Sequence, residues 1–138
     1  QRLNGLPQHG IGRSCKAGKE EIMGLLAALR AFTFEGDVIR HARWLKSAEE
    51  VANGCLGIVG IEVHIHDAEN IEGVPLVVLS LDKAKNDATF VISALQNGNP
   101  SIHVDPCQRE QNKILINPMC LRDGDPMFIA GAIRKALT

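Results

Sequence analysis

Hydrophobic and polar positions change period several times along the chain. From Lys19, residues Ile22, Leu25, Leu26, Leu29 and Phe32 recur at i, i+3, i+4, i+7 and i+10, which is one face of a helix. Lys19, Glu20, Glu21 and Arg30 take the other side, with the two acids in the first turn, where the helix dipole favours anions. The pattern predicts a helix over 19–34 that Gly36 ends. Asp37 is a suitable N-cap for a second helix reaching about Asn53, stopped by Asn53-Gly54. Its expected apolar stripe is Val38, Ala42, Leu45 and Ala52, with Trp44, Ala48 and Val51 beside it.

The period then falls to two. Between Ile58 and His66, Val59, Ile61, Val63 and Ile65 alternate with Gly60, Glu62, His64 and His66, as in an antiparallel strand with one polar face. Pro75–Leu81 is a second expected strand. Asp87 caps a short helix to about Gln96, and Asn97-Gly98 ends it. Ser101–Val104 and Lys113–Ile116 complete four expected strands. Asp125-Pro126 opens a last helix, with Met127, Ile129, Ala130, Ile133 and Leu137 on its apolar side. The order α-α-β-β-α-β-β-α predicts an α+β fold: a four-stranded, mainly antiparallel sheet with helices on one face. Residues 1–18, with five glycines or prolines and no periodicity, read as an irregular lead-in to a single domain over 19–138.

Composition narrows the function. The chain has 138 residues, with 15 Lys and Arg against 16 Asp and Glu, so it lacks the dense positive field that nucleic acid requires. Four Phe, one Trp and no Tyr leave little for base-stacking. No apolar run is long enough to span a membrane. Cys15, Cys55, Cys107 and Cys120 lie far apart, without a zinc or disulfide spacing, and read as reduced thiols of a cytoplasmic protein.

Gly10-Ile11-Gly12-Arg13-Ser14-Cys15-Lys16-Ala17-Gly18-Lys19-Glu20-Glu21-Ile22 is the most distinctive stretch. It resembles the Gly-Arg-x-x-Lys-x-Gly-Lys-Glu-Glu-Ile segment of the fold-type-I pyridoxal-phosphate enzymes related to selenocysteine synthase and D-glucosaminate-6-phosphate ammonia-lyase. In that family the segment enters the C-terminal small domain. Pro75-Leu76-Val77-Val78, Gly98-Asn99-Pro100-Ser101-Ile102, Ile114-Leu115-Ile116-Asn117-Pro118-Met119 and Leu121-Arg122-Asp123-Gly124-Asp125 follow in the family's order. Ser14-Cys15 stands where the family has Pro-Met.

The resemblance implies a small domain without the large domain that holds the cofactor. In such enzymes pyridoxal phosphate forms an imine on a lysine of the large domain, so the resemblance implies no catalytic residue and no cofactor bound by this chain alone. Ser80-Leu81-Asp82-Lys83 echoes a Ser-x-Asp-Lys imine motif, but Lys83 follows a strand within the small-domain pattern and lacks the Gly-Gly-Pro that should come next, so it is not taken as an imine lysine.

Arg13, Lys16 and Lys19 place three cations within seven residues, beside glycines and ahead of a helix N-terminus. Arg13 and Lys16, with His9 in the lead-in, are therefore the candidates for binding a substrate carboxylate or phosphate in a complete enzyme. His64 and His66 share a strand face, yet a polar sheet face accounts for them, and no metal site is assigned. The alternative to a lyase or transferase domain is a stand-alone, non-catalytic dimeric module for protein interaction or small-molecule binding. Under either reading a homodimer is expected.

Overall fold

The structure, a computed structural model, describes residues 16–137. Backbone contacts divide the chain at Gly36 into two units, residues 1–36 and 37–138.

In the first unit, helix α1 runs Lys19–Glu35 and buries none of its residues. Ile22, Leu25, Leu26, Leu29 and Phe32 are all exposed. No side chain caps it; Gly18 is its N-cap, and Gly36, at φ 74°, ends it in a conformation that a side chain would resist.

The second unit holds helices α2 (Asp37–Cys55), α3 (Ala88–Gln96) and α4 (Asp125–Leu137) and strands β1 (Ile61–His66), β2 (Leu76–Leu81) and β3 (Lys113–Ile116). The strands form one antiparallel sheet in the order β1-β2-β3. Val63 pairs with Leu79 and Leu79 with Ile114, so one row of apolar residues crosses the sheet on the helix side. Val77, Leu79, Ile114 and Ile116 join Ala48, Val51 and Cys55 of α2, Val91 and Leu95 of α3, and Ile129 and Ile133 of α4 in one buried cluster. The core thus lies between the sheet and the three helices.

Two expectations are corrected. The sheet has three strands, and the order is α-α-β-β-α-β-α. Residues 101–104 spend their hydrogen bonds on the end of α3 instead of on a strand. The Ile102 N–H donates to the Leu95 carbonyl at 3.0 Å, and Ser101 Oγ donates to the Gln96 carbonyl at 2.6 Å. Only Asp105 reaches the sheet, through a single bridge to Leu115.

The buried stripe of α2 is also rotated from the expected one, onto Arg40, His41, Trp44, Ala48, Val51, Ala52 and Cys55. Val38 is 67% exposed. Trp44 has the largest surface on the helix, and turning it inward carries Arg40 and His41, one turn earlier, into the interior. In α4, Met127 likewise faces outward at 63% exposure, while Ile129, Ala130 and Ile133 are buried.

The face of the sheet away from the helices is less polar than β1 alone suggests. Glu62, His64 and His66 are exposed there, but His64 pairs with Val78 and Val78 with Leu115, both of them buried. A central strand covered on both sides carries a continuous apolar run, as Leu76–Leu79 does. No helix among the described residues is long and apolar enough to cross a membrane.

Candidate functional site

A groove of about 610 Å³ lies between α3 and α4 in the second unit. Phe90 and Ala94 of α3 and Met127, Phe128, Gly131 and Lys135 of α4 line it, and Gly98-Asn99-Pro100 closes one end. The local sequence explains the shape. Ala94, Gly131 and Ala132 put small side chains, or none, between the helices, while Phe90 and Phe128 stand up as walls. Lys135 is the single charged side chain among the lining residues, and no carboxylate, imidazole or thiol lies there. A concave apolar surface with one cation suits binding an apolar body. It holds no acid–base pair for chemistry.

A smaller, polar recess of about 360 Å³ lies at the start of α3, lined by Lys83, Asp87, Thr89, Arg109, Glu110 and Asn112 among others. Its two cations are balanced by two carboxylates, so it offers an anion no net attraction. Its first N–H groups are already engaged. Asp87 Oδ1 accepts from Thr89 N–H at 3.0 Å and Asn112 Oδ1 from Ala88 N–H at 2.8 Å.

Asn112 is the residue on which this corner turns. It is buried, with φ 59° and ψ 40°, and follows the 3₁₀ turn Arg109–Gln111. Its Nδ2 donates to the Leu81 carbonyl at 2.8 Å and to the Asn86 carbonyl at 2.9 Å. Its own carbonyl accepts from Leu81 N–H at 2.9 Å, which extends the β2–β3 pairing by one residue. Asn tolerates the left-handed region, and its amide offers both donors and an acceptor.

The candidates read from sequence fall as follows. His9 and Arg13 lie outside the described residues. Lys16 is exposed ahead of α1. The N-terminus of α1 carries its own acids, Glu20 and Glu21, and the Glu21 carboxylate occupies the space a side chain on Gly18 would need. Lys83 is exposed in the turn after β2, where Asp82 Oδ1 accepts the Ala84 N–H at 3.0 Å.

His64 and His66 are both exposed; His66 Nε2 lies 3.5 Å from Asp67 Oδ1. His103 lies off the sheet, its Nε2 3.0 Å from Ser101 Oγ. No group of three or more His, Cys, Asp or Glu that could hold a metal occurs among the described residues. Cys55 is buried, and Cys107 and Cys120 are exposed free thiols; Cys15 lies outside the described residues.

Sequence reasoning missed three features. The groove needs two helices far apart in sequence. Asn112 gives only a turn signal. Arg40, His41 and Trp44 form a polar group on the buried face of α2. There Arg40 Nη1 donates to Asp37 Oδ1 at 2.7 Å, and its guanidinium lies 5.9 Å from the centre of the Trp44 ring. Trp44 Nε1 and His41 Nε2 are buried with no hydrogen-bond partner among the described residues.

No family model matches the chain. Over 123 residues it is 27% identical to a 5'-C-glycyluridine monooxygenase-decarboxylase of a Streptomyces species, a match that spans 87% of this chain and 31% of that protein. Among solved structures, D-glucosaminate-6-phosphate ammonia-lyase matches with a TM-score of 0.73 at 22% identity, over 93% of this chain and 34% of that one. The fold of this chain is therefore the fold of a part of the ammonia-lyase. The chain spans 31% and 34% of the lengths of these two proteins.

Proposed function

We propose that the chain is the C-terminal small domain of a pyridoxal-phosphate-dependent lyase or transferase, closing a substrate cleft and offering anion-binding side chains. The observation that carries this reading is the shared fold. It extends over 93% of this chain, yet over 34% of the ammonia-lyase, as a domain of a larger enzyme would. The order of the family-like segments, from Gly10 to Asp125, supports it independently of the fold.

The described residues do not fit an imine site for the cofactor. An imine lysine must be held in a closed cavity against the pyridine ring. Lys16, Lys19, Lys46, Lys83, Lys85 and Lys135 are exposed, and Lys113 is half-buried on the sheet. In this reading the cofactor, when bound, supplies the electron sink from the large domain. This chain contributes shape and charge: a rigid sheet-and-helix body, with His9, Arg13 and Lys16 as the groups that would meet a carboxylate or phosphate.

The test is to read the gene upstream of Gln1, express the chain with whatever precedes it, and titrate with pyridoxal phosphate. The expected result is an imine absorbance that borohydride fixes on a lysine preceding Gln1. An initiator codon directly before Gln1, or a stoichiometric adduct on Lys83 or another lysine of the 138-residue chain, would overturn the reading.

A further inference from the structure

Strand β1 is an edge of the sheet: among the described residues its one neighbour is β2. Two hydrogen bonds fix which of its backbone groups that neighbour uses. Asp82 N–H donates to the Gly60 carbonyl at 2.9 Å, and Leu81 N–H donates to the Asn112 carbonyl at 2.9 Å, so Leu81 turns its backbone towards β3 and Asp82 turns towards β1. In an antiparallel ladder, pairs that exchange hydrogen bonds alternate with pairs that do not. Glu62, His64 and His66 therefore bond to Ser80, Val78 and Leu76, and the N–H and C=O groups of Ile61, Val63 and Ile65 point away from β2. The side chains of those three residues are half-buried against the core, while Glu62, His64 and His66 are exposed. Outward N–H and C=O groups beside half-covered apolar side chains are a template for another strand.

We propose that β1 pairs antiparallel with β1 of a second copy of this chain, joining the two sheets into one across a two-fold axis at Val63. What selects a second copy is that the strand is complementary to itself. A two-fold contact sets residue i against j and j against i. With Val63 against Val63 of the other copy, Ile61 meets Ile65 and Glu62 meets His64, each on both sides of the axis. Ile61, Val63 and Ile65 then form the hydrogen-bonded pairs, and every outward backbone group of the strand gains a partner. Glu62 and His64 form the pairs between them, where side chains come closest, so a carboxylate faces an imidazole twice. The apolar row Ile114–Leu79–Val63 runs on into the same row of the other copy.

The neighbouring registers lose this match. A slip of two residues one way sets Glu62 against Glu62, with like charges directly opposed. A slip of two the other way sets His64 against His64 and leaves Ile61 opposite Asp67, where the backbone has left the strand at φ 58°. A slip of one sets outward groups against groups already bonded to β2 and core-side residues against exposed ones. A contact made by one short strand lies at the lower limit for a specific interface, so association belongs in the micromolar range. The proposal rests on β1 and stands or falls separately from the pyridoxal-phosphate reading.

Sedimentation velocity of the 138-residue chain from about 1 to about 500 μM, the range a contact of that size calls for, is expected to show a reversible monomer–dimer equilibrium. Val63→Pro removes an N–H that β2 does not use and is expected to leave a folded monomer. Glu62→Lys should weaken the dimer about fivefold or more, because both pairs at the interface become repulsive. Glu62→Lys with His64→Glu should restore it. Both residues are exposed, so the charge variants decide the matter even where Val63→Pro does not fold. Register is read by oxidation with Cys15, Cys107 and Cys120 replaced by Ser. Glu62→Cys with His64→Cys should give a covalent dimer, and neither substitution alone should. A wild-type monomer at every concentration, a dimer that survives in folded Val63→Pro, a charge swap that does not restore association, or cross-linking by a single cysteine would overturn the proposal.

Discussion

Asn112 Oδ1 accepts the N–H of Ala88 at 2.8 Å, across 24 residues of chain, and so closes the open start of α3 from the residue just before β3. The same amide binds the carbonyls of Leu81 and Asn86. Three backbone groups at three places in the sequence are thus satisfied by one buried side chain. Asn112→Ala removes all three bonds and puts a β-carbon residue at φ 59° without the local compensation Asn provides. The expected loss is ~3 kcal/mol or more, since each buried group left unsatisfied costs about 1–3 kcal/mol. Asn112→Gly removes the same bonds but relieves the backbone, so it should cost less than Asn112→Ala. Urea unfolding of both variants checks the order as well as the size.

That corner also shows which parts of the fold can be read from sequence. Asp87 was legible as the cap of α3 because a cap acts on the next few residues, and its bond to Thr89 N–H is local. Lys113–Ile116 was legible as a strand, and so was the alternation of β1. Ser101–Val104 was misread because its alternation is real but its hydrogen bonds are claimed by the end of α3, a tertiary choice that periodicity does not carry. Asn112 was invisible for the same reason: its partners lie 24 to 31 residues away. On α2, the stripe was centred on Val38, Ala42, Leu45 and Ala52, whereas the buried face runs through Arg40, His41 and Trp44, because Trp44 decides the rotation. The site was less legible than the fold. A groove between α3 and α4 depends on how two distant helices meet, while the basic lead-in with His9 and Arg13 lies outside the described residues.

Trp44 is the one tryptophan of the chain and is buried on the core side of α2, its indole N–H without a partner among the described residues. Its contribution to stability is therefore the area and fit of the ring and the Arg40 and Arg43 guanidiniums 5.9 and 6.0 Å from its centre, with no indole hydrogen bond among the described residues. Trp44→Ala should cost ~3–5 kcal/mol by leaving a cavity. Trp44→Phe keeps most of the ring and should cost less than half as much. The native fluorescence should be blue-shifted and move to the red on unfolding. A Trp44→Phe variant as damaged as Trp44→Ala would show that the indole nitrogen is bonded after all.

Thiol chemistry should separate the cysteines by position and by pH. Burial pushes the Cys55 thiol above the ordinary value of 9.0, with the Arg134 charge pulling weakly the other way. The folded state thus holds the proton more tightly than the unfolded state. Its stabilising effect is complete below the ordinary thiol value and is lost as pH rises towards and through the higher folded value. Stability measured from pH 8 upward should fall beyond about pH 9, and fall less steeply in Cys55→Ala. Cys107 is exposed, but its hydrogen bond to Asp105, followed by slight burial and the Asp105 charge, also raises its thiol. Native protein should react with a thiol reagent at Cys107 and Cys120, and at Cys55 only on unfolding. Asp105→Asn should speed labelling of Cys107 at pH 8.

Two glycines should respond to the same substitution with opposite signs. A β-carbon on Gly54 would lie 2.5 Å from the β-carbon of Ala130, so the end of α2 approaches α4 as closely as it does because Gly54 has no side chain. Neither β-carbon can rotate away, and the helices must part. Just beyond, Arg134 Nη2 donates to the carbonyls of Gly54 and Leu56 at 3.0 and 3.2 Å, closing the end of α2 from α4, and that contact would be strained in turn. Gly54→Ala should therefore destabilise by ~1–3 kcal/mol, the cost of overpacking, which exceeds the gain of about 1 kcal/mol in helix propensity. On α4 itself, a β-carbon on Gly131 meets nothing within 4 Å. Gly131→Ala should stabilise by about 0.5–1 kcal/mol, because only the propensity term acts. Thermal unfolding of the pair checks both signs, and a Gly54→Ala protein as stable as the parent would show that α2 and α4 can separate at no cost.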